Sequence, residues 1–232
     1  MSFIFSPPET VSLPISGSGD RFPIRRVFCV GRNYEDHVVE MGGVPGREPP
    51  FFFGKPADAV HQNDEIAYPS HCEDFHHEME LVIAIGEGGT DIPLEKANDH
   101  IFGYAAGVDL TRRDYQAWAK KAGRPWTMAK GFDHSAPISA IKPSSKIGHP
   151  ERGRMHLTVN GETKQDGDLG QQIWKVPEIV SNLSEWIELK AGDLIMTGTP
   201  AGVGPLVAGD RVEGSIENIG ELAFTITPGP SA

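Results

Sequence analysis

Glu78 and Glu80 have the residue type and the spacing to hold a cation. They sit in the run Asp74-Phe75-His76-His77-Glu78-Met79-Glu80-Leu81-Val82-Ile83-Ala84-Ile85-Gly86. Glu80 to Ile85 reads as a buried β-strand, and side chains at i and i+2 of a strand share a face. Two carboxylates therefore project side by side from the mouth of an apolar strand. At ~4 Å and an effective dielectric of ~20 they would repel by roughly 4 kcal/mol. Such a pair requires a cation, a shared proton or open water. Asp109, near the end of a second apolar run (Ile101 to Leu110), is a candidate third ligand. An oxygen-only set suits Mg²⁺, Mn²⁺ or Ca²⁺ better than Zn²⁺. The alternatives are solvated strand ends, or salt bridges to Arg112, Arg113 or Lys130. His76 and His77 point to opposite faces of a strand and are not taken as ligands.

Other residues can supply the remaining chemistry. His37 and Glu40 stand at i and i+3 of a short helical stretch, which is the spacing of a general base and its orienting carboxylate. That stretch ends at Gly42-Gly43 and runs into a Pro/Gly loop at 43–50, the pattern of a lid. A plain surface helix is the competing reading. Lys130 lies among small and apolar residues between Trp126 and Phe132, where an amine needs an anionic partner. Arg32, Arg112, Arg113 and Arg124 are candidate carboxylate clamps. Gly198-Thr199-Pro200 either presents backbone N–H groups and a hydroxyl to an oxyanion or is a tight turn. Residues 198–204 are not a phosphate loop, because the Gly-Lys-Ser/Thr ending and a following helix are missing. Serine-nucleophile and zinc spacings are absent.

The elements that must position these groups are short. The chain has 232 residues, 27 Gly, 19 Pro and 38% apolar residues, enough for a core divided by many turns. The pattern predicts strands at 27–30, 51–55, 65–69, 79–85, 101–110, 136–138, 155–165 (a hairpin at Asn160-Gly161), 191–197 and 211–227. It predicts helices at 33–41, 94–99, 115–121 and 175–189, with Asn33 as one N-cap and Thr111 with Asp114 as a second capping pair. The last helix would bury Val176, Ile179, Val180, Leu183, Trp186 and Ile187. Residues 1–24 read as an extended N-terminal arm with one short strand, and 25–232 as a single catalytic domain. The fold class is α+β, mostly β. A net charge of −11 argues against a nucleic-acid or anionic-membrane partner. Cys29 and Cys72 form no disulfide framework. Without a signal-peptide pattern or a ~20-residue apolar run, a cytoplasmic location is expected.

Taken in order, several stretches resemble the fumarylacetoacetate hydrolase superfamily. They are Val30-Gly31-Arg32-Asn33-Tyr34 with Asp36-His37 and Glu40-Met41, Phe53-Gly54-Lys55-Pro56, and His77-Glu78-Met79-Glu80-Leu81. Then come Asp109-Leu110-Thr111-Arg112-Arg113-Asp114 with Gln116, Pro125-Trp126 with Lys130, Val159-Asn160-Gly161, and Gly192-Asp193-Leu194-Ile195-Met196-Thr197-Gly198-Thr199-Pro200-Ala201-Gly202-Val203-Gly204. The resemblance implies a mixed β-sandwich roll, a homodimer, and Mg²⁺ (or Mn²⁺ or Ca²⁺) on Glu78, Glu80 and Asp109. It implies that His37 and Glu40 activate water on a lid and that Lys130 stabilises an oxyanion. Arg32, Tyr34, Arg113, Gln116 and Thr199 would contact substrate. The similarity is to the acylpyruvase branch, and the arm and residues 49–60 resemble fumarylpyruvate hydrolases. The implied reaction is C–C bond hydrolysis of a 2,4-diketo acid in aromatic catabolism. Oxaloacetate decarboxylation or dienoate isomerisation through the same enolate is the alternative, and a non-catalytic metal-binding protein the third. Gly54 departs from the larger residue expected there, which would widen the pocket.

Overall fold

Alternation along the strand Met79–Ile85 divides the interior in two. Met79, Leu81, Ile83 and Ile85 enter one core with Tyr104, Leu157, Ile179, Leu183 and Phe224. Val82 and Ala84 face a second core with Val27, Cys29, Leu194 and Met196. Both faces of the strand are thus covered, and all seven of its residues are buried. The computed structural model describes residues 3–44 and 46–229. The outermost residues of the predicted arm and catalytic domain, and Pro45 of the predicted loop, lie outside the described residues.

Met79–Ile85 is central in a six-stranded sheet ordered Lys142–Pro143, Ile101–Val108, Met79–Ile85, Asp193–Met196, Arg26–Gly31, Phe51–Lys55. Asp193–Met196 runs parallel to Arg26–Gly31, and the other pairings in this sheet are antiparallel. A second sheet is ordered Glu162–Asp168, Arg154–Val159, Arg211–Ile216, Gly220–Thr227, Glu65–Ala67. Side chains of both sheets meet in the larger core, giving the mixed β-sandwich roll expected from the sequence. The predicted hairpin forms at Asn160 and Gly161, both at positive φ (53° and 79°), as a tight two-residue turn requires.

The N-terminal segment departs from the extended arm. Ser12–Pro14 and Arg21–Pro23 pair as an antiparallel hairpin. Leu13, Phe22 and Ile24 are buried in the second core, behind Val82 and Ala84. Proline-rich sequence hid the alternation that buries these three side chains. Leu13→Ala is therefore expected to cost about 2–5 kcal/mol in urea unfolding. A cost below about 1 kcal/mol would show that the hairpin is peripheral.

Three local expectations also fail. The helix Glu35–Glu40 starts after Tyr34, and Asn33 instead bonds Trp174 and Thr197. Asp114 accepts from the Glu73 backbone N–H instead of pairing with Thr111. Trp186, the last residue of Val176–Trp186, is 80% exposed. No helix among the described residues is long and apolar enough to cross a membrane.

Candidate active site

Strand register brings the three acids together. Met79 pairs with Val108, so the next step outward sets Glu78 opposite Asp109, and the Asp109 N–H donates to the Glu78 carbonyl at 2.8 Å. Glu80 shares the face of Glu78, two residues on. Ligand atoms of Glu78, Glu80 and Asp109 all lie within 4.8 Å of one another, and all three residues are buried. Opposite Glu80 is Gly107, where a Cβ would stand 2.7 Å from Val82 Cγ2. The acids thus project from a floor that has no room for a larger neighbour.

Buried cations surround them. Lys130 Nζ donates to Glu78 Oε2 at 2.8 Å and Asp109 Oδ2 at 2.7 Å. Arg113 donates one Nη to Glu78 Oε1 and the other to Gln116 Oε1. Lys55 Nζ forms a buried ion pair with Asp109 Oδ1 at 2.8 Å. Burial opposes ionisation of Glu78, but Lys130, Arg113 and His37 outweigh it and hold its carboxyl well below the usual range. Glu80 goes the other way: burial, then the Asp109 and Glu78 charges, push its pKa well up, although Gly198 N–H donates to it at 2.7 Å. Burial also opposes charge on Lys130, yet Asp109 and Glu78 raise its pKa overall. A divalent cation would relieve Glu80, and the carboxylate-only donor set fits a hard one.

Across the cavity, His37 Nδ1 is 2.9 Å from Glu40 Oε2, and the other Glu40 oxygen accepts from the Gly202 N–H at 2.9 Å. With a carboxylate at Nδ1, the neutral form of the ring carries its proton on that nitrogen and leaves the Nε2 lone pair free. His37 lines a cavity of about 40 Å³ together with Arg32, Glu78, Glu80, Arg113, Gln116, Lys120, Trp126, Lys130 and Thr199. The helix and loop that carry His37 are docked. Arg47 lies 4.3 Å over the Trp174 ring and pairs with Glu178, and Trp174 Nε1 donates to the Glu48 carbonyl.

Ten of the eleven predicted site residues therefore gather here, and Tyr34 does not. Its hydroxyl meets Met155 Sδ at 3.0 Å in the core, because the chain is still extended at residue 34 and turns helical only at 35. Arg112 bonds the Met128 carbonyl and covers Phe132, away from the acids. Gly54 does not widen the cavity: a Cβ there would meet only the Val27 carbonyl, on a separate cleft beside Phe28 and Trp186. His77 is buried against Gln165, and burial lowers its pKa to about 4, so it stays neutral. Neither it nor His76, which pairs with Asp74, joins the acids. Sequence reasoning missed the roles of Lys55 and Lys120. Only the place of Lys55 within Phe53-Gly54-Lys55-Pro56 could have signalled the first.

Comparison with known proteins shows the family. The family model described as fumarylacetoacetate hydrolase C-terminal matches residues 26–227. The mitochondrial oxaloacetate tautomerase of Mus musculus is 42% identical over 203 residues, 87% of this chain and 91% of its own. The crystal structure of fumarylpyruvate hydrolase from Pseudomonas aeruginosa, in complex with Mn²⁺ and pyruvate, superposes with a TM-score of 0.96. It is 51% identical, covering 98% of this chain and 100% of that one. A 2-hydroxyhepta-2,4-diene-1,7-dioate isomerase from Mycobacterium marinum superposes with a TM-score of 0.79 at 33% identity, covering 92% of this chain and 83% of that one. Hydrolase, tautomerase and isomerase thus share one scaffold. With its acids, lysines and His–Glu pair in one cavity, the chain belongs to the fumarylacetoacetate hydrolase family of enzymes.

Proposed function

We propose that the protein is a metal-dependent acylpyruvate hydrolase that cleaves fumarylpyruvate to fumarate and pyruvate. The observation that carries this reading is the His37–Glu40 pair, set across the cavity from three buried acids. Enolate chemistry alone needs no activated water, and a base held at Nδ1 by a carboxylate is the device for making one. The similarity to fumarylpyruvate hydrolase over nearly the whole chain supports the choice of substrate.

Glu78, Glu80 and Asp109 would hold Mg²⁺, which would supply Lewis-acid stabilisation to the developing enolate. Three buried cations, Lys55, Lys130 and Arg113, formally balance the three acids. Adding a divalent ion leaves a net positive pocket, which suits an anionic diketo acid despite the acidic surface. Arg113, Gln116 and Thr199 line the side on which the pyruvyl end would sit. His37 Nε2 takes a proton from water, and the hydroxide attacks the C4 carbonyl carbon. The C3–C4 bond then breaks, its electron pair leaves with the pyruvyl fragment, and Lys130 stabilises the enolate charge. Return of the proton to C3 gives pyruvate and a free carboxylate.

Arg32 and Lys120 stand at the cavity mouth without an acidic partner among the described residues. Lys120 Nζ lies 5.3 Å over the Trp126 ring. Desolvation first, then the charges of Arg113 and Arg32, lower its pKa, so an incoming carboxylate would relieve it. These two would receive the distal carboxylate, whereas Arg124 does not line the cavity. The test is a kinetic panel of fumarylpyruvate, acetylpyruvate, fumarylacetoacetate and oxaloacetate, with and without Mg²⁺. Fumarylpyruvate is expected to give the highest kcat/KM. Lys120→Met should lower its preference over acetylpyruvate about tenfold, roughly 1.4 kcal/mol. Failure to cleave any acylpyruvate, with oxaloacetate tautomerised or decarboxylated, would leave the enolate reading. That second reading has the tautomerase similarity in its favour.

A further inference from the structure

Gln165 is fully buried in the strand Glu162–Asp168, which belongs to the sheet opposite the acids. It reaches the site because the hairpin is irregular. Thr158 pairs with Thr163 but Leu157 pairs with Gln165, so Lys164 is an extra residue. Such a bulge re-aims the side chain beside it. The turn at Gly202 packs on this bulge, at φ +97°, where a Cβ would collide with the Lys164 carbonyl.

The inward-turned amide uses all of its hydrogen-bonding capacity. Gln165 Oε1 accepts from the Met79 N–H at 2.9 Å, between the two glutamates, and lies 3.1 Å from His77 Nδ1. Nε2 donates to the Pro200 carbonyl at 2.9 Å and to Thr199 Oγ1 at 2.7 Å. Two of these partners admit one role each: a backbone N–H only donates and a carbonyl only accepts. The orientation of the amide is therefore fixed at both ends. It follows that Thr199 Oγ1 accepts a hydrogen bond from Gln165 and must direct its own O–H elsewhere. Thr199 is 2% exposed and lines the cavity of the acids, and no described residue accepts its proton.

We infer that Gln165 is a positioning residue that fixes the Thr199 hydroxyl as a hydrogen-bond donor into the cavity, toward an anionic oxygen of an α-keto acid. The identity of that ligand rests on the function proposed above; the direction of the hydroxyl does not. Gln165→Glu keeps the shape and the acceptor for Met79 but, once ionised, removes the donor. The Thr199 hydroxyl then turns to the new carboxylate and is lost to the ligand. Thr199→Val removes the same hydroxyl directly.

The test is a double-mutant cycle on the Mg²⁺-loaded protein, with pyruvate as the probe and Kd read by calorimetry. Each single variant is expected to weaken pyruvate about tenfold, and the double variant less than threefold beyond the weaker single. Thr199→Ser should restore binding. Losses that multiply in the double variant, or a Gln165 variant with unchanged Kd, overturn the inference. Gln165→Met, which keeps the bulk without the amide, takes the place of Gln165→Glu if the latter does not fold. Because no turnover is read, a wild type that cleaves no acylpyruvate but shows the coupled loss supports this inference while removing the hydrolase. A wild type that binds no pyruvate overturns the inference.

Discussion

Glu80→Ala is expected to lower Mg²⁺-dependent turnover by at least ~10³-fold, the several kcal/mol that a divalent ion supplies to a developing oxyanion. The reason is electrostatic as much as geometric. Glu80 is 1% exposed, its carboxyl pushed toward the neutral form by burial and by Asp109 and Glu78. In the absence of a cation this side chain is a liability, so its removal should leave the metal-free protein as stable as wild type or more so. The cation reverses that sign. Wild type should gain thermal stability on addition of Mg²⁺, by about 2.7 kcal/mol at a hundredfold excess over Kd, and Glu80→Ala should gain almost none. Parallel thermal melts and assays with and without EDTA read both effects. Wild-type activity that persists in EDTA, or a Mg²⁺-induced rise in melting temperature retained by Glu80→Ala, would remove the metal from the mechanism.

The parts of this centre that were legible in the sequence are those set by local periodicity. A two-residue repeat puts Glu78 and Glu80 on one face, and a three-residue step puts His37 beside Glu40; both hold. Asp109 was named from its place near the end of a second apolar run, but what brings it to the glutamates is the pairing of Met79 with Val108, a register between strands over twenty residues apart. Periodicity within one strand carries no such information. The place of Lys55 was out of reach, since its partner Asp109 is 54 positions away. Gln165 depends on one extra residue in a hairpin, which shifts every later side chain to the other face. Tyr34, which the resemblance put at the substrate, is the extended residue before the helix and points into the core. The fold was legible as a class because Gly and Pro divide the chain into short strands. The N-terminal hairpin was not, because the same prolines obscure an alternation that is explained only by the Val82–Ala84 face it covers.

His37→Ala should separate hydrolysis from enolate chemistry. A general base contributes typically 10²–10⁴-fold, so fumarylpyruvate cleavage should fall within that range. The loss should appear in kcat, because His37 would touch the attacking water and not the pyruvyl end of the substrate. Oxaloacetate enolisation uses the acids and Lys130, and is expected to fall at least tenfold less. Glu40 sharpens the comparison. It holds Nδ1 at 2.9 Å, and its second oxygen is tied to the Gly202 N–H, so the imidazole is aimed by the turn that also presents Gly198 to Glu80. Glu40 and Glu80 thus both accept from backbone N–H groups of one loop, Gly198–Gly202, which ties the aim of His37 to the placement of Glu80. That coupling is what a water-activating site would need, because the hydroxide would have to form where the attacked carbon lies. Absorbance assays of both substrates for wild type and His37→Ala decide the matter. Hydrolysis within about threefold of wild type would mean that water is activated elsewhere, and an equal loss on both substrates would make His37 a general proton carrier for the enolate.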